Sequence, residues 1–175
     1  MPPLTRREYL QMLLLGGLSS NAYANPARPV ANKKEPYRLL GQTLEGKPWS
    51  LQAQRNQFTL ITFWATWCPT CRKELPLLRS FYEDNQRKGF NLLAISLDER
   101  REDVAAYQQV LFQVIPASQR FPIMWRKEWG HQDTFGPITG TPSHFMFRKD
   151  GSLFRFRQGA LQPEDWDDFW TEMNS

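Results

Sequence analysis

Two runs of apolar residues dominate the middle of the chain, Phe58 to Phe63 (Phe-Thr-Leu-Ile-Thr-Phe) and Phe90 to Ser96 (Phe-Asn-Leu-Leu-Ala-Ile-Ser). Both are short, rich in aromatic and branched side chains and nearly continuous, the pattern of strands buried on both faces. Between them Leu75, Leu78, Phe81 and Tyr82 recur at three- and four-residue intervals, which predicts a helix covering a sheet. A second stretch of that kind, Val104, Tyr107, Val110, Leu111 and Val114, follows the second run. The order strand, helix, strand, helix argues for an α/β sheet with right-handed crossovers. The rhythm then changes. Phe145 to Phe147, the Asp150-Gly151 turn and Leu153 to Arg157 predict an antiparallel hairpin. Pro163 to Met173 closes the domain as a helix, with Pro163, Glu164 and Asp165 suited to its amino terminus. There are no internal repeats or low-complexity tracts.

The first residues follow a different logic. Arg6 and Arg7 precede a short apolar stretch, Leu10 to Leu18, and then Ala22-Tyr23-Ala24, the order of an export signal cleaved before Asn25. The apolar stretch is far below the ~20 residues that span a bilayer. The expectation is a soluble mature protein, anchored only if the signal stays uncleaved. Thr5-Arg6-Arg7-Glu8-Tyr9-Leu10-Gln11 is also twin-arginine-like, which implies export of the folded chain; an ordinary secretory signal with a charged start is the other reading. Residues 1–24 are thus assigned to the signal. Residues 25–36, rich in Pro and Ala without periodicity, read as a flexible tether, and residues 37–175 as the domain.

A chain of 175 residues with 41% hydrophobic and 14% aromatic content is sized for one domain with a real core. Its 22 basic and 18 acidic residues are spread along the chain, giving +4, and loss of Arg6, Arg7 and Glu8 with the signal lowers this to +3. Nucleic-acid binding needs clustered Lys and Arg, so no nucleic-acid partner is expected.

Only two cysteines occur, in Trp67-Cys68-Pro69-Thr70-Cys71, just after one predicted buried strand and at the start of a predicted helix. At a helix amino terminus, free N–H groups and the positive end of the macrodipole stabilise a thiolate and lower its pKa from about 8.5 towards neutrality. Cys68 is therefore the expected nucleophile. Cys71, one turn further in, is the resolving thiol, placed to attack a mixed disulfide and too sheltered to begin one. Other readings compete. A static disulfide is usual in exported proteins, but so short a loop constrains the unfolded chain little. A zinc site would need His131 and His144 brought to the cysteines, without the paired spacing of a zinc finger.

The stretch from Phe63 through Trp67-Cys68-Pro69-Thr70-Cys71 to Arg72-Lys73-Glu74-Leu75-Pro76, with Gly140-Thr141-Pro142 some seventy residues later, resembles the TlpA-like branch of the thioredoxin superfamily. That branch includes the ResA and CcmG (DsbE) proteins of cytochrome c maturation, and the resemblance runs from about Tyr37 to Met173. It implies a thioredoxin-like α/β fold: a central mixed sheet flanked by helices, with an N-terminal extension and an inserted helix-containing segment. It also places Pro142 at the family's cis-proline, beside the active cysteines. An X-Pro bond prefers trans by only ~0.5–1 kcal/mol, so a fold can impose cis. The implied groove for an extended partner is formed by Trp67, Pro69, Thr70, Thr141 and Pro142, with Trp67 packed against the cysteine loop. Glu74 stands where these reductases keep an acid near the cysteines, able to relay a proton to or from Cys71. Pro76 would kink the active-site helix. Thr62 departs from thioredoxins, which place a buried aspartate there, and this draws attention to Glu74. Trp64 is assigned to the core, His144 to a strand rather than to catalysis, and His131 is left unplaced.

By this resemblance the protein is a periplasmic or otherwise exported thiol-disulfide oxidoreductase, more a reductase than an oxidant. It needs no cofactor or metal beyond the Cys68–Cys71 disulfide. Its partners would be protein disulfides, with apocytochrome c or a metal-centre assembly protein as candidates, and a membrane thiol reductant. The alternative is a copper chaperone holding Cu(I) through Cys68, Cys71 and a histidine, although known thioredoxin-fold copper carriers usually separate their cysteines by three residues. A peroxidase is disfavoured, since no peroxidase threonine-cysteine pattern is present.

Overall fold

The computed structural model describes residues 36–174, so the expected signal and nearly all of the tether lie outside the described residues. In chain order the elements are β1 (Leu39–Gln42), β2 (Pro48–Ser50), β3 (Phe58–Trp64), α1 (Pro69–Asn85), β4 (Phe90–Ser96), α2 (Arg101–Val114), β5 (Ile123–Trp125), β6 (Gln132–Asp133), β7 (Ser143–Phe147), β8 (Leu153–Gln158) and α3 (Pro163–Met173). The two apolar runs form β3 and β4, every residue of which is buried.

Five strands make the main sheet in the order β5-β4-β3-β7-β8, with β3–β4 and β4–β5 parallel and β3–β7 and β7–β8 antiparallel. β1 pairs with β2 and β6 in a separate three-stranded sheet. Alternate residues of the main sheet serve two cores. Phe58, Leu60 and Trp64 of β3 and Phe90, Leu92 and Ala94 of β4 pack with Leu75, Leu78 and Phe81 of α1, Val104 of α2, and Trp166 and Phe169 of α3. Ile61, Phe63, Leu93 and Ile95, on the opposite face, pack instead against Leu39, Trp49, Leu51 and Phe135. The helices thus share one core, and the small sheet helps close the other. Successive right-handed crossovers that step in the same direction, β3 to β4 to β5, put α1 and α2 on the same face.

The expected apolar period of α2 is only partly buried. Val104 and Gln108 face inward, whereas Val110 is 64% and Val114 75% exposed. At 100° per residue those two valines fall outside the stripe through Val104, Tyr107, Gln108 and Leu111. The three-residue edge strand β5 gives α2 little surface to cover. The closing hairpin turns at Gly151, whose φ of +84° lies in the left-handed region that favours glycine. α3 opens with a capping box in which the Gln162 N–H donates to Asp165 Oδ2 at 2.8 Å.

Candidate active site

The cysteine motif lies where β3 leaves the sheet and α1 begins. Cys68 is the N-cap of α1 in extended backbone conformation, Pro69 follows in the first turn, and Cys68 Sγ accepts the Cys71 N–H at 3.1 Å. A sulfur thus occupies the place usually taken by a Ser or Asp oxygen, among the free donors of the helix terminus. Proline is favoured there because it has no N–H to satisfy. Cys68 and Cys71 form a disulfide. Both are buried, at 3% and 1% exposure, so burial separates the expected nucleophile from the expected resolving thiol only slightly. Trp67 is 64% exposed and so stands out from the surface rather than packing down on the cysteine loop; Pro69 and Thr70 are also exposed.

Beneath the loop lies a buried carboxylate that the motif does not announce. Asp98, two residues past the end of β4, accepts the Thr66 N–H at 3.1–3.2 Å, the Thr66 hydroxyl at 2.6 Å and the Ser96 hydroxyl at 2.6 Å. Its own N–H donates to Ser96 Oγ, and its carbonyl accepts the Trp125 indole N–H. Asp98 therefore ties the residue two before Cys68 to the ends of β4 and β5. Active sites gather at the carboxyl ends of parallel strands, so the Ser-x-Asp pattern ending the second run was the signal available in the sequence.

Glu74 is buried one turn along α1 from Cys71. Its Oε1 accepts the Leu161 N–H at 2.6 Å, and its Oε2 lies 3.0 Å from His144 Nε2. His144 is on β7, paired through its Cα with Thr62 of β3, so the position occupied by aspartate in thioredoxins sits beside this carboxylate–imidazole pair. The Thr141-Pro142 peptide is cis, with Thr141 half-buried and Pro142 buried. Ser143 pairs with Phe63, which brings Pro142 across from Trp64, at the rim where the cysteine loop leaves the sheet. Trp64 is in the core and Pro76 lies inside α1, which continues through it to Asn85.

His131 belongs to another cluster. Its Nε2 is 2.9 Å from Asp133 Oδ2, and Arg126 meets the same carboxylate with two bonds of 2.8 Å. Burial pushes the Asp133 carboxyl up, but the bonds from His131, Arg126 and the Phe135 N–H outweigh it and hold the group well below the usual carboxylate range. Among the described residues, no three His, Cys, Asp or Glu side chains are grouped to hold a metal ion, so the third ligand of the copper reading is not assembled beside the cysteines.

A cysteine pair capping the first helix after a buried central strand, with a cis-proline at the same rim, defines a thioredoxin-like thiol-disulfide oxidoreductase. The chain belongs to the AhpC/TSA family, whose sequence profile matches residues 30–154. It is 28% identical over 166 residues to the sporulation thiol-disulfide oxidoreductase A of Bacillus subtilis (strain 168), covering 94% of each chain. It is 30% identical over 147 residues to the thiol-disulfide oxidoreductase ResA of Bacillus anthracis, covering 81% of this chain and 80% of that one. Among solved structures it resembles StoA from Bacillus subtilis, with a TM-score of 0.59 and 25% identity over 80% of this chain and 100% of that one. A thiol:disulfide interchange protein of Chlorobium tepidum TLS shares the fold, with a TM-score of 0.62 and 23% identity over 88% and 99% of the two chains.

Proposed function

We propose that this oxidoreductase is an exported reductase of protein disulfides, acting in cytochrome c maturation or a related exported-thiol pathway of the periplasm. Residues 1–24 serve as its export signal and residues 25–36 as its tether. The Cys68 thiolate attacks a partner disulfide, Cys71 resolves the mixed disulfide, and a membrane thiol donor restores the dithiol. Trp67, Pro69, Thr70, Thr141 and Pro142 receive the partner's extended segment, and Glu74 relays the proton of Cys71.

The observation that carries the direction of electron flow is the buried carboxylate of Glu74 one turn from Cys71, with Asp98 beneath the same loop. Negative charge near the thiols disfavours thiolate and so disfavours the reduced form. Strong oxidants of this kind instead stabilise their reduced form. The two carboxylates thus oppose the thiolate stabilisation that the helix terminus gives Cys68, and this supports a pair that gives electrons away.

The test is an equilibrium titration of the mature protein across defined thiol potentials, with Cys71→Ser used to trap mixed disulfides from an exported-protein extract. A potential near or below about −200 mV with a discrete set of trapped partners supports the reading. A pair that exchanges no electrons, in a reduced protein that binds Cu(I) tightly, replaces it with the copper-chaperone reading.

A further inference from the structure

His144 is fully buried, yet its ring is only half engaged. Nε2 lies 3.0 Å from Glu74 Oε2 but off the direction of a ring N–H bond, and Nδ1 has no hydrogen-bond partner among the described residues. A purely structural histidine at such a place would bond both nitrogens, because buried polar atoms are rarely left unpaired. The other groups facing it are accounted for. Thr62 on β3 is neutral, and Arg157 and Arg155 on β8 are engaged with Asp165 of α3. Cys71 lies a turn back along α1 from Glu74, on the same buried face. The other Glu74 oxygen is anchored by the Leu161 N–H.

We propose that His144 is a positioning residue for the resolving step: it orients Glu74 Oε2 and shares with it the proton that Cys71 gives up. This inference rests on the reductase reading above. In that step the Cys71 Sγ–H bond breaks and its proton passes to Glu74 Oε2, held between that oxygen and His144 Nε2. Cys71 Sγ then bonds to Cys68 Sγ while the bond from Cys68 Sγ to the partner's sulfur breaks. The partner's sulfur leaves with the electron pair as a thiolate and takes a proton from water. Two electrons have moved from the cysteine pair to the partner disulfide. The proton returns to Cys71 when a thiol donor reduces the pair again.

Because binding of a proton and the redox state of the cysteines are linked, each must shift the other. The ring carbon resonances of both histidines in the mature wild-type protein, followed from pH 5 to 9, test this directly. The His144 resonances are expected to follow pH differently in oxidised and reduced protein, while those of His131, bonded to Asp133, serve as the control. Reaction of the reduced protein with 5,5′-dithiobis(2-nitrobenzoate) gives the kinetics: a first release of thionitrobenzoate reports Cys68 attack and a second reports Cys71 resolution. His144→Gln and His144→Thr are expected to slow the second release about tenfold near pH 7 and move its pH midpoint, leaving the first unchanged. Combined with Glu74→Gln they are expected to add little, since the two groups act as one unit. His144 resonances that follow pH identically in oxidised and reduced protein, or a folded His144 variant with an unchanged second release, overturn the proposal. If neither variant folds, the wild-type resonances decide alone. Absence of a second release from the wild type instead overturns the resolving role of Cys71, and with it the reductase reading.

Discussion

Asp98 offers a sharp test of how the cysteine loop is held. Its carboxylate is almost fully buried, makes no ion pair among the described residues, and accepts from one backbone N–H and two hydroxyls. Two effects oppose each other in Asp98→Ala. Removing a buried charge without a cationic partner is favourable. Against this, the Thr66 N–H loses its acceptor at about 1–3 kcal/mol, and bonds to a charged group are worth roughly 1.5–3 kcal/mol each, although the Thr66 and Ser96 hydroxyls can turn to other partners. The hydrogen bonds win in this accounting, for a net loss of about 3 kcal/mol. Asp98→Asn keeps one oxygen for the Thr66 N–H and asks Ser96 only to turn and accept, so its loss should be about 1 kcal/mol. Urea unfolding of the oxidised protein measures both. With a slope of about 1–3 kcal/mol/M, the alanine variant should lower the midpoint by roughly 1–3 M and the asparagine variant by about a third of that. Loosening of Thr66 should also speed alkylation of Cys68 in the reduced alanine variant. If both variants proved as stable as the wild type, desolvation of the charge would dominate and the account of Asp98 as the tie beneath the loop would be wrong.

Phe81, fully buried and in ring contact with Phe90, Trp166, Phe169 and Trp170, should cost about 3–5 kcal/mol as Phe81→Ala in the same unfolding assay. Val114→Ser, on the exposed side of α2, should stay within about 0.5 kcal/mol of wild type. Asp133 has its folded-state pKa depressed below the ordinary value of about 3.9, so its contribution is complete above that value and is lost as the pH falls towards the folded value. Thermal melts from pH 6 down to pH 2 should therefore show a steeper loss for wild type than for Asp133→Asn. Parallel curves would mean that the Arg126 and His131 contacts do not favour the charged form.

What could be read in the sequence was what local patterning controls. The continuous apolar runs became β3 and β4, the Asp150-Gly151 signal became the turn of a hairpin, and Pro163 to Met173 became α3. The small sheet escaped because its strands have two to four residues, too few to show a period, and β6 is the polar pair Gln132–Asp133. That pair finds β1 some ninety residues away, and no local pattern encodes the meeting. Val110 and Val114 fit a helical period, but the period alone does not say how wide a stripe the sheet will cover. At the site, the cysteine motif was legible because a strand-to-helix junction is a local event. The partners of Glu74 were not, since His144 reaches it only through the register that sets Thr62 against His144 across the sheet. His144 lies on a strand, as its place after Pro142 predicts, and the sequence holds no sign of the carboxylate it faces.

The hairpin turn gives the molecule a polarity that suits handling. Phe147 pairs with Thr59 at the start of β3, whereas the cysteines follow its end, so the Asp150-Gly151 turn lies at the far rim of the sheet, roughly 20 Å away at 3.3 Å per residue. Asp150 is exposed there, and the turn is closed by its own Gly151 N–H to Arg148 carbonyl bond. A dye, an affinity handle or a linkage to a solid support at Asp150 would leave the cysteine rim facing the bulk solution, so that immobilised protein keeps its reactive end free to meet large polypeptides.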